Sequence, residues 1–246
     1  TTSETTSETT EATTDDPSTT GDPPVIEVLF IGNSYTAGND LAGLVQAMGE
    51  ADPEAPELVI EAIAIGGETM AGHLSTASTI TTIEEGVWDF VVLQGQSVEP
   101  LFPNSGFTEA GIELAGVVKD AGATPLLFET WARKAGSELY EEPWYGATPE
   151  EAQAGLRAAY QEVADASGGA MAPVGDAWEI IWTEEPMIDL YAGDGSHAQL
   201  TGTYLAASVF FGAITQVSPV GNMGIPDGVD PETAMILQEA ADEVVP

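Results

Sequence analysis

The sequence predicts an α/β protein, a three-layer α/β/α sandwich built on a mostly parallel, five-stranded sheet. Short, continuous apolar runs alternate with longer segments in which apolar residues recur at helical spacing. Runs that are apolar throughout indicate strands covered on both faces, as is typical of parallel sheets. The 222 residues from Val25 to Pro246 are enough for one such domain and few for two.

The boundaries of the predicted elements come from glycines and polar residues at their ends. Gly32 ends the first strand, Gly66-Gly67 follows the second, Asp89 lies at the start of the third, and Gly122 ends the helix between the third and fourth strands. The predicted strands cover residues 25–31, 58–65, 88–94, 125–131 and 170–174. The predicted helices cover residues 39–50, 68–79, 107–121, 149–167, 177–182, 199–216 and 231–244.

The first 24 residues differ in composition from the rest. They contain ten Thr, three Ser and six acidic residues, with no aromatic or large aliphatic side chain. Such a segment cannot form a core, so we expect a disordered stalk over 1–24 and one domain over 25–246. The stalk resembles the Thr-rich spacers that follow the lipidated cysteine of secreted bacterial lipoproteins; a generic extracellular linker is the alternative. Because the chain opens on Thr, we expect that an initiator segment or signal peptide has been removed.

The charge balance excludes two classes of partner. There are 41 acidic and four basic residues, and 35 of the acidic residues belong to the predicted domain. Such a surface repels nucleic acid and anionic membranes, and the longest apolar run is shorter than the ~20 residues of a membrane span. The acidity and the scarcity of lysine favour a salty environment. The Thr-rich stalk favours a secreted or cell-envelope protein, with a lipid tether upstream of the stalk as one option. The oligomeric state stays open.

Two short segments supply the parts of a hydrolytic site. Gly32-Asn33-Ser34 ends the first strand, and Asp194-Gly195-Ser196-His197 precedes the last long helix of the core. They offer a nucleophile, an orienting carboxylate and a base. The other histidine, His73, lies in a helix-like stretch and is expected to be a packing or surface residue. Each segment alone is typical of an ordinary turn or loop; their combination with a parallel sheet favours catalysis.

The predicted topology places these segments together. Ligands of parallel sheets bind at the carboxyl ends of the strands. The predicted strands lead into Ser34, Gly66-Gly67, Gln94 and Thr130-Trp131 at that edge, and the loop 194–197 has to reach the same edge. No cysteine is present and no segment has the spacing of an EF-hand, so we predict neither a metal nor a cofactor.

These blocks resemble the SGNH (GDSL-like) hydrolases, and among them bacterial esterase-like proteins in which the first block reads Gly-Asn-Ser. The resemblance covers most of residues 25–215. It rests on four blocks in the family's order: Phe30-Ile31-Gly32-Asn33-Ser34-Tyr35-Thr36, Gly66-Gly67-Glu68-Thr69, Asp89-Phe90-Val91-Val92-Leu93-Gln94, and Asp194-Gly195-Ser196-His197 with Gly202-Thr203-Tyr204-Leu205-Ala206. The resemblance implies a flavodoxin-like SGNH hydrolase fold.

The resemblance also implies roles. Ser34 would be the nucleophile, His197 the general base and Asp194 the group that orients His197. The oxyanion hole would comprise the backbone N–H groups of Ser34 and Gly67 and one side-chain amide.

The third block departs from the family pattern. The Gly-x-Asn of the family is replaced by Gln94-Gly95-Gln96. A glutamine amide can donate the same hydrogen bond as the asparagine from one methylene further out. We favour Gln94, the last residue of the predicted strand, as that donor, with Gln96 as the substitute.

Aromatic residues bracket the segment that follows the fourth strand. Trp131, Trp144 and Tyr145 are interpreted as substrate-binding residues, an apolar wall or a platform on which a sugar stacks. The alternative is that they close the core.

These features predict a secreted serine esterase that removes acetyl or other short acyl groups from a small ester or an acylated carbohydrate through an acyl-enzyme on Ser34. One alternative is a binding module of the same fold whose catalytic residues have decayed; the intact Ser34, Asp194 and His197 argue against it. A nucleotide-binding domain is disfavoured by the absence of a phosphate-loop motif and by the acidic charge.

Overall fold

The computed structural model describes residues 24–245, together with Thr1. The stalk predicted over residues 1–24 therefore lies almost entirely outside the described residues. The strands are β1 Val25–Gly32, β2 Glu57–Ala64, β3 Phe90–Leu93, β4 Thr124–Phe128 and β5 Ala170–Ala172. The helices are α1 Ser34–Ala37, α2 Leu41–Ala51, α3 Met70–Ser75, α4 Ala77–Glu85, α5 Phe107–Asp120, α6 Pro149–Ser167, α7 Val174–Glu184, α8 Leu200–Thr215 and α9 Pro231–Val244.

The five strands form one sheet in the order β2-β1-β3-β4-β5, and every pair is parallel. This is the strand order of doubly wound, flavodoxin-like folds, in which the sheet changes direction between β1 and β3. The predicted α/β sandwich is confirmed. Because β1 lies next to that switch point, the residues that follow it are placed where such sheets bind ligands.

The core lies on both faces of the sheet, and the alternation of β1 shows the division. Val28 and Phe30 pack on one face, and Leu29 and Ile31 on the other; all four are at most 1% exposed. Helices α2, α7, α8 and α9 cover the first face, and α3, α4, α5 and α6 the second. α8 is buried nearly all round, because it contacts α2, α7 and α9. Truncating its Phe210, whose ring packs edge-on against Phe30, is expected to cost about 3–5 kcal/mol.

Three predicted helices differ from the structure by two residues or more. The helix predicted over 177–182 is longer and extends over Val174–Glu184. The helix predicted over 68–79 is two helices, α3 and α4, because Thr76 adopts an extended conformation between them. The helix predicted from residue 39 starts at Leu41, and a separate short helix, α1, begins at Ser34. In the part of the chain that the structure describes, no helix combines the length and apolar character needed to cross a bilayer.

Candidate active site

Ser34 is the first residue of α1, on the strand-to-helix turn that follows β1. Asn33 caps this helix: its Oδ1 accepts the Tyr35 N–H at 3.1 Å, and its backbone carbonyl accepts the N–H groups of Thr36 and Ala37. Such a cap satisfies donors that a helix start otherwise leaves free. The Ser34 side chain is half-buried and its hydroxyl faces the loop 194–197.

Gly32 and Gln94 lie beneath the turn at Asn33-Ser34, on its buried side. Gln94 is fully buried, and its Oε1 accepts the Asn33 N–H at 2.9 Å and the Thr36 hydroxyl at 3.0 Å. A Cβ at position 32 would lie 2.2 Å from Thr36 Oγ1 and 2.5 Å from Gln94 Oε1. Residue 32 must therefore be glycine, because any side chain there would displace the two groups that hold the turn.

The loop that carries Asp194 and His197 is closed on itself. Ala192 donates its N–H to the His197 carbonyl at 2.7 Å, and Gly195 takes a positive φ of 65° while donating to the Ala192 carbonyl at 2.9 Å. Lys134 donates its backbone N–H to the Gly195 carbonyl at 3.0 Å, which attaches the loop to the segment after β4. Both functional side chains are therefore held by backbone geometry.

The structure brings Ser34, His197 and Asp194 into one hydrogen-bonded chain. Ser34 Oγ lies 2.9 Å from His197 Nε2, and His197 Nδ1 lies 2.6 Å from Asp194 Oδ2. Because a carboxylate only accepts, the proton sits on Nδ1, and Nε2 is left to accept the Ser34 hydroxyl proton. Asp194 Oδ1 accepts the backbone N–H groups of Ser196 and His197, each at 3.0 Å.

The hydrogen bond from His197, together with those from the two backbone N–H groups, lowers the pKa of Asp194 to about 2. The carboxylate is therefore ionised throughout the pH range in which most enzymes work. An ionised Asp194 stabilises the imidazolium that forms when His197 takes the serine proton.

An aromatic stack supports the loop 194–197 from beneath. The Trp131 ring lies between the rings of Tyr35 and Trp178, with centroid distances of 4.5 and 4.0 Å and nearly parallel planes. Trp131 Nε1 donates to the Ser196 carbonyl at 2.9 Å, and Tyr35 Oη lies 2.9 Å from Ser196 Oγ. The stack thus fixes the position of the residue next to His197.

This burial corrects the interpretation of two aromatic residues as cleft walls. Trp131 and Tyr145 are each 1% exposed, so they pack inside the protein and leave no ring face for a ligand. Trp144 is partly exposed, and its ring packs edge-on against Phe102, which is 51% exposed, at 5.1 Å. The Trp144–Phe102 pair joins the segments that follow β3 and β4, and the sequence pattern had not singled out Phe102.

The second strand supplies a backbone donor beside the nucleophile. Gly67 adopts a φ of 72°, which favours glycine, and the space that a Cβ would enter is open. Asn33 Nδ2 donates to the Glu68 carbonyl at 2.9 Å. This hydrogen bond joins the glycine turn, Gly66-Gly67, to the nucleophile turn, Asn33-Ser34. Within residues 24–245, the N–H groups of Ser34 and Gly67 donate to no protein acceptor.

The structure does not place the Gln94 amide at the surface of the site. Its Oε1 is occupied by Asn33 and Thr36, and its Nε2 donates to the Gly95 carbonyl. The interpretation of Gln94 as the oxyanion donor is therefore at odds with its position. Gln96 is partly exposed, and its Oε1 accepts the Val98 N–H at 2.9 Å. Its Nε2 has no acceptor among the described residues, so the Gln96 amide, unlike that of Gln94, has a donor that no protein group occupies.

His73 holds the nucleophile turn from the side opposite Gln94. It is fully buried, and its Nε2 donates to the Gly32 carbonyl at 2.9 Å. Burial lowers the pKa of His73, so the ring is neutral. This agrees with the packing role expected of it; the contact with Gly32 has no local signal in the sequence.

A groove of about 890 Å³ opens beside the catalytic loop. It runs from Asp194 and Gly195 along the segment after β4 to Leu139 and Glu142. Glu142 accepts the Trp144 indole N–H at 3.2 Å, so the exposed aromatic pair lies next to this groove. Of the three triad residues, Asp194 lines this groove, whereas Ser34 and His197 do not.

Comparisons with known proteins find solved structures of the same fold. No family model and no curated protein matches the sequence. A DUF4886 family protein from Bacteroides uniformis is similar in structure, with a TM-score of 0.75 and 21% identity over 89% of this chain and 94% of that chain. A "putative SGNH hydrolase" from Slackia heliotrinireducens has a TM-score of 0.65 and 26% identity over 76% of this chain and 97% of that chain.

An acetyl-xylooligosaccharide esterase from Geobacillus also matches, with a TM-score of 0.57 and 15% identity over 77% of this chain and 94% of its own. At that identity the match shows the shared fold alone. The strand order and the likeness to the Slackia protein lead to one assignment. The chain has the fold of the SGNH (GDSL-like) hydrolase superfamily.

Proposed function

We propose that this protein is a secreted serine esterase that hydrolyses acetyl or other short-chain esters, with acylated carbohydrates as the substrate class. The observation that carries the proposal is the hydrogen-bonded chain from Ser34 through His197 to Asp194, beside two unpaired backbone N–H groups. These are a nucleophile, a base with its orienting group, and donors for a developing oxyanion.

In the proposed reaction, Ser34 Oγ attacks the ester carbonyl while His197 Nε2 takes the hydroxyl proton. The N–H groups of Ser34 and Gly67 stabilise the negative charge on the carbonyl oxygen of the tetrahedral intermediate. The intermediate collapses to an acyl-enzyme, and the alcohol leaves with the proton that His197 returns. Water, deprotonated by His197, then attacks the acyl group, and the acid is released with Ser34 restored.

The carbohydrate part of the proposal is supported by the partly exposed Trp144 and Phe102 rings beside the groove. Partly exposed aromatic rings offer an apolar face on which a sugar ring can pack. The esterase from Geobacillus, whose printed name gives an acetylated xylooligosaccharide as its substrate, shares the fold. Short acyl groups are proposed because neither Ser34 nor His197 lines the grooves found along the segment after β4.

The proposal is tested with an activated acetyl ester under pre-steady-state conditions. Wild-type protein is expected to release a burst of alcohol equal to the concentration of active sites, followed by slower turnover. Ser34→Ala should remove the burst and lower kcat/KM by several orders of magnitude. Ser78→Ala, at an exposed serine of α4, is the matched control and should leave both unchanged. If Ser34→Ala keeps more than a few per cent of the activity, the nucleophile is elsewhere.

A further inference from the structure

This chain has four basic and 41 acidic side chains. The environment of each basic side chain is therefore informative. Arg157 binds Asp176 and Glu179, and Lys134 Nζ lies 2.8 Å from Asp189. Lys119 Nζ donates to the Ser167 carbonyl at 2.6 Å, away from the sheet edge that carries the site. Arg133 also lacks a carboxylate partner, and unlike Lys119 it contacts Tyr35, the residue after Ser34.

Arg133 lies at the active site without a counter-ion. Nη1 lies 3.3 Å from Tyr35 Oη and Nη2 lies 2.8 Å from Ser97 Oγ, so its two side-chain partners are neutral hydroxyls. In the described part of the chain, no carboxylate comes within 4 Å of it. With so many carboxylates available on this surface, an unpaired guanidinium is not a consequence of scarcity. A half-buried cation without an anion is costly, and a ligand anion would offset that cost.

The position of Arg133 is fixed by its own backbone. Its N–H donates to Tyr145 Oη at 3.0 Å, and its carbonyl accepts the Tyr140 hydroxyl. Tyr35, which receives one arm of the guanidinium, directly follows Ser34, and its ring lies edge-on to His197 at 5.5 Å. The guanidinium is therefore held between the nucleophile turn and the segment after β3. Two of its five N–H donors are used in these contacts, and the others have no hydrogen-bond acceptor among the described residues.

We propose that Arg133 binds a carboxylate of the ester substrate and so makes the enzyme selective for anionic esters. This inference rests on the proposed esterase function and deepens it. A guanidinium held by two hydroxyls presents its remaining donors in a fixed plane, which suits bidentate binding of a carboxylate. Because the rest of the surface is negative, anions bind poorly elsewhere, and the preference arises at this residue.

The carboxylate can belong to the acyl part or to the alcohol part of the ester, and matched substrate pairs separate these sources. On the acyl side, the 4-nitrophenyl half-ester of succinic acid is compared with 4-nitrophenyl butyrate. On the alcohol side, an acetylated methyl glucuronoside is compared with the acetylated methyl glucoside. The ratio of kcat/KM within each pair is measured at one ionic strength for the wild type, Arg133→Gln, Arg133→Lys and Lys119→Gln.

We expect the wild type to prefer the anionic member of one pair about tenfold or more, since a hydrogen-bonded charged pair is worth about 1.5–3 kcal/mol. Arg133→Gln should remove that preference, and Arg133→Lys should restore only part of it because a lysine binds a carboxylate at a single point. Lys119→Gln removes the same charge at a distance and should keep the wild-type ratio. Binding of both members of the pair to Ser34→Ala should show the same preference without catalysis.

Two results would overturn the inference while leaving the esterase intact. One is a wild type that hydrolyses the neutral esters in a Ser34-dependent manner but shows no preference in either pair. The other is an Arg133→Gln protein that loses activity equally on both members, which would make Arg133 a support for Tyr35. If the wild type hydrolyses none of the four esters, the proposed function fails, and the inference fails with it.

Discussion

At the scale of single residues, the candidate triad depends on backbone geometry more than on burial. The side chains of Asp194 and His197 are 51% and 45% exposed, so water competes for both. The carboxylate still keeps its orientation, because two loop N–H groups bind its other oxygen. The orientation and the ionisation of Asp194 therefore depend on the conformation of the loop 194–197.

Asp194→Asn tests that coupling. An amide in this place no longer secures the tautomer with the proton on Nδ1, and we expect kcat to fall by about 10³–10⁴-fold. Asp194 has a pKa of about 2 and is ionised at the pH of the assay, so the variant removes a negative charge beside the imidazole. That charge stabilises the imidazolium that forms in the transition state. A variant that keeps the wild-type kcat would contradict the pairing.

The two glutamines after β3 are predicted to behave differently. Gln94→Ala leaves the Asn33 N–H unpaired in the core and should lower the free energy of unfolding by about 1–3 kcal/mol. Gln96→Ala should leave thermal unfolding nearly unchanged and lower kcat by about 10²–10³-fold, the usual loss for one oxyanion donor. A stable Gln94→Ala protein with a comparable loss of kcat would return the donor role to Gln94.

The residues predicted from local pattern were those whose role follows from chain neighbours. Ser34 after a strand, and Asp194 three residues before His197, can be found by spacing alone, and the structure brings their side chains together. Trp131 could not be placed, since its burial depends on stacking with Trp178 from a distant helix. No pattern of neighbouring residues in the sequence points to Arg133. The residue stands out only in the structure, where no carboxylate of the described residues lies within 4 Å of it.

At the scale of elements, the segment after β4 is held by a buried carboxyl group. Glu129 is fully buried, and its Oε1 accepts from Gln153 Nε2 at 2.6 Å. Gln153 Oε1 in turn accepts the Ala132 N–H at 2.8 Å, next to Arg133. Burial, and then the charge of Asp176, raise the pKa of Glu129 well above its ordinary value. The end of β4, helix α6 and the start of the site segment therefore share one polar cluster.

Glu129→Gln is predicted to stabilise the fold near neutral pH. An unfolded glutamate ionises above about pH 4.3, whereas the folded group stays protonated, so this group's contribution to stability falls as the pH rises through that window. A glutamine keeps the acceptor for Gln153 and does not titrate. The Tm difference between variant and wild type should be positive at pH 7 and small at pH 4. The same substitution at partly exposed Glu179 is the control, and an equal gain there would contradict the account.

Element boundaries were predictable where the signals are local. The helices over 149–167 and 231–244 match the structure at both ends, because each has a capping Thr or Asp followed by Pro. The break at Thr76 and the separate helix at Ser34 were not predictable. Both depend on contacts across the sheet edge, such as His73 with Gly32 and Asn33 with Glu68.

At the scale of the whole molecule, repulsion among the carboxylates lowers the stability of the folded state. The domain carries 35 acidic and four basic residues. Within residues 24–245, the basic residues that form ion pairs with carboxylates are Arg157 and Lys134. Local pairing thus relieves little of the repulsion. Dissolved salt has to screen the rest, with a Debye length that falls from ~30 Å at 0.01 M to ~3 Å at 1 M.

Stability is therefore predicted to rise steeply over the first few tenths molar NaCl. Thermal unfolding from 0.05 to 3 M NaCl measures this, and activity lost at low salt should return with the folded state. A chain without residues 1–24 should show nearly the same Tm and salt response, because six charges but no apolar side chains of a core are removed. A Tm that does not change with salt would contradict the repulsion account.

Covalent labelling tests whether His197 activates Ser34. A fluorophosphonate reacts with a serine whose neighbouring base removes its proton, and peptide mass mapping locates the adduct. We expect one adduct, on the peptide that contains Ser34, its loss in Ser34→Ala, and labelling slowed by several orders of magnitude in His197→Ala. An adduct on another serine, or wild-type labelling of Ser34→Ala, would contradict it.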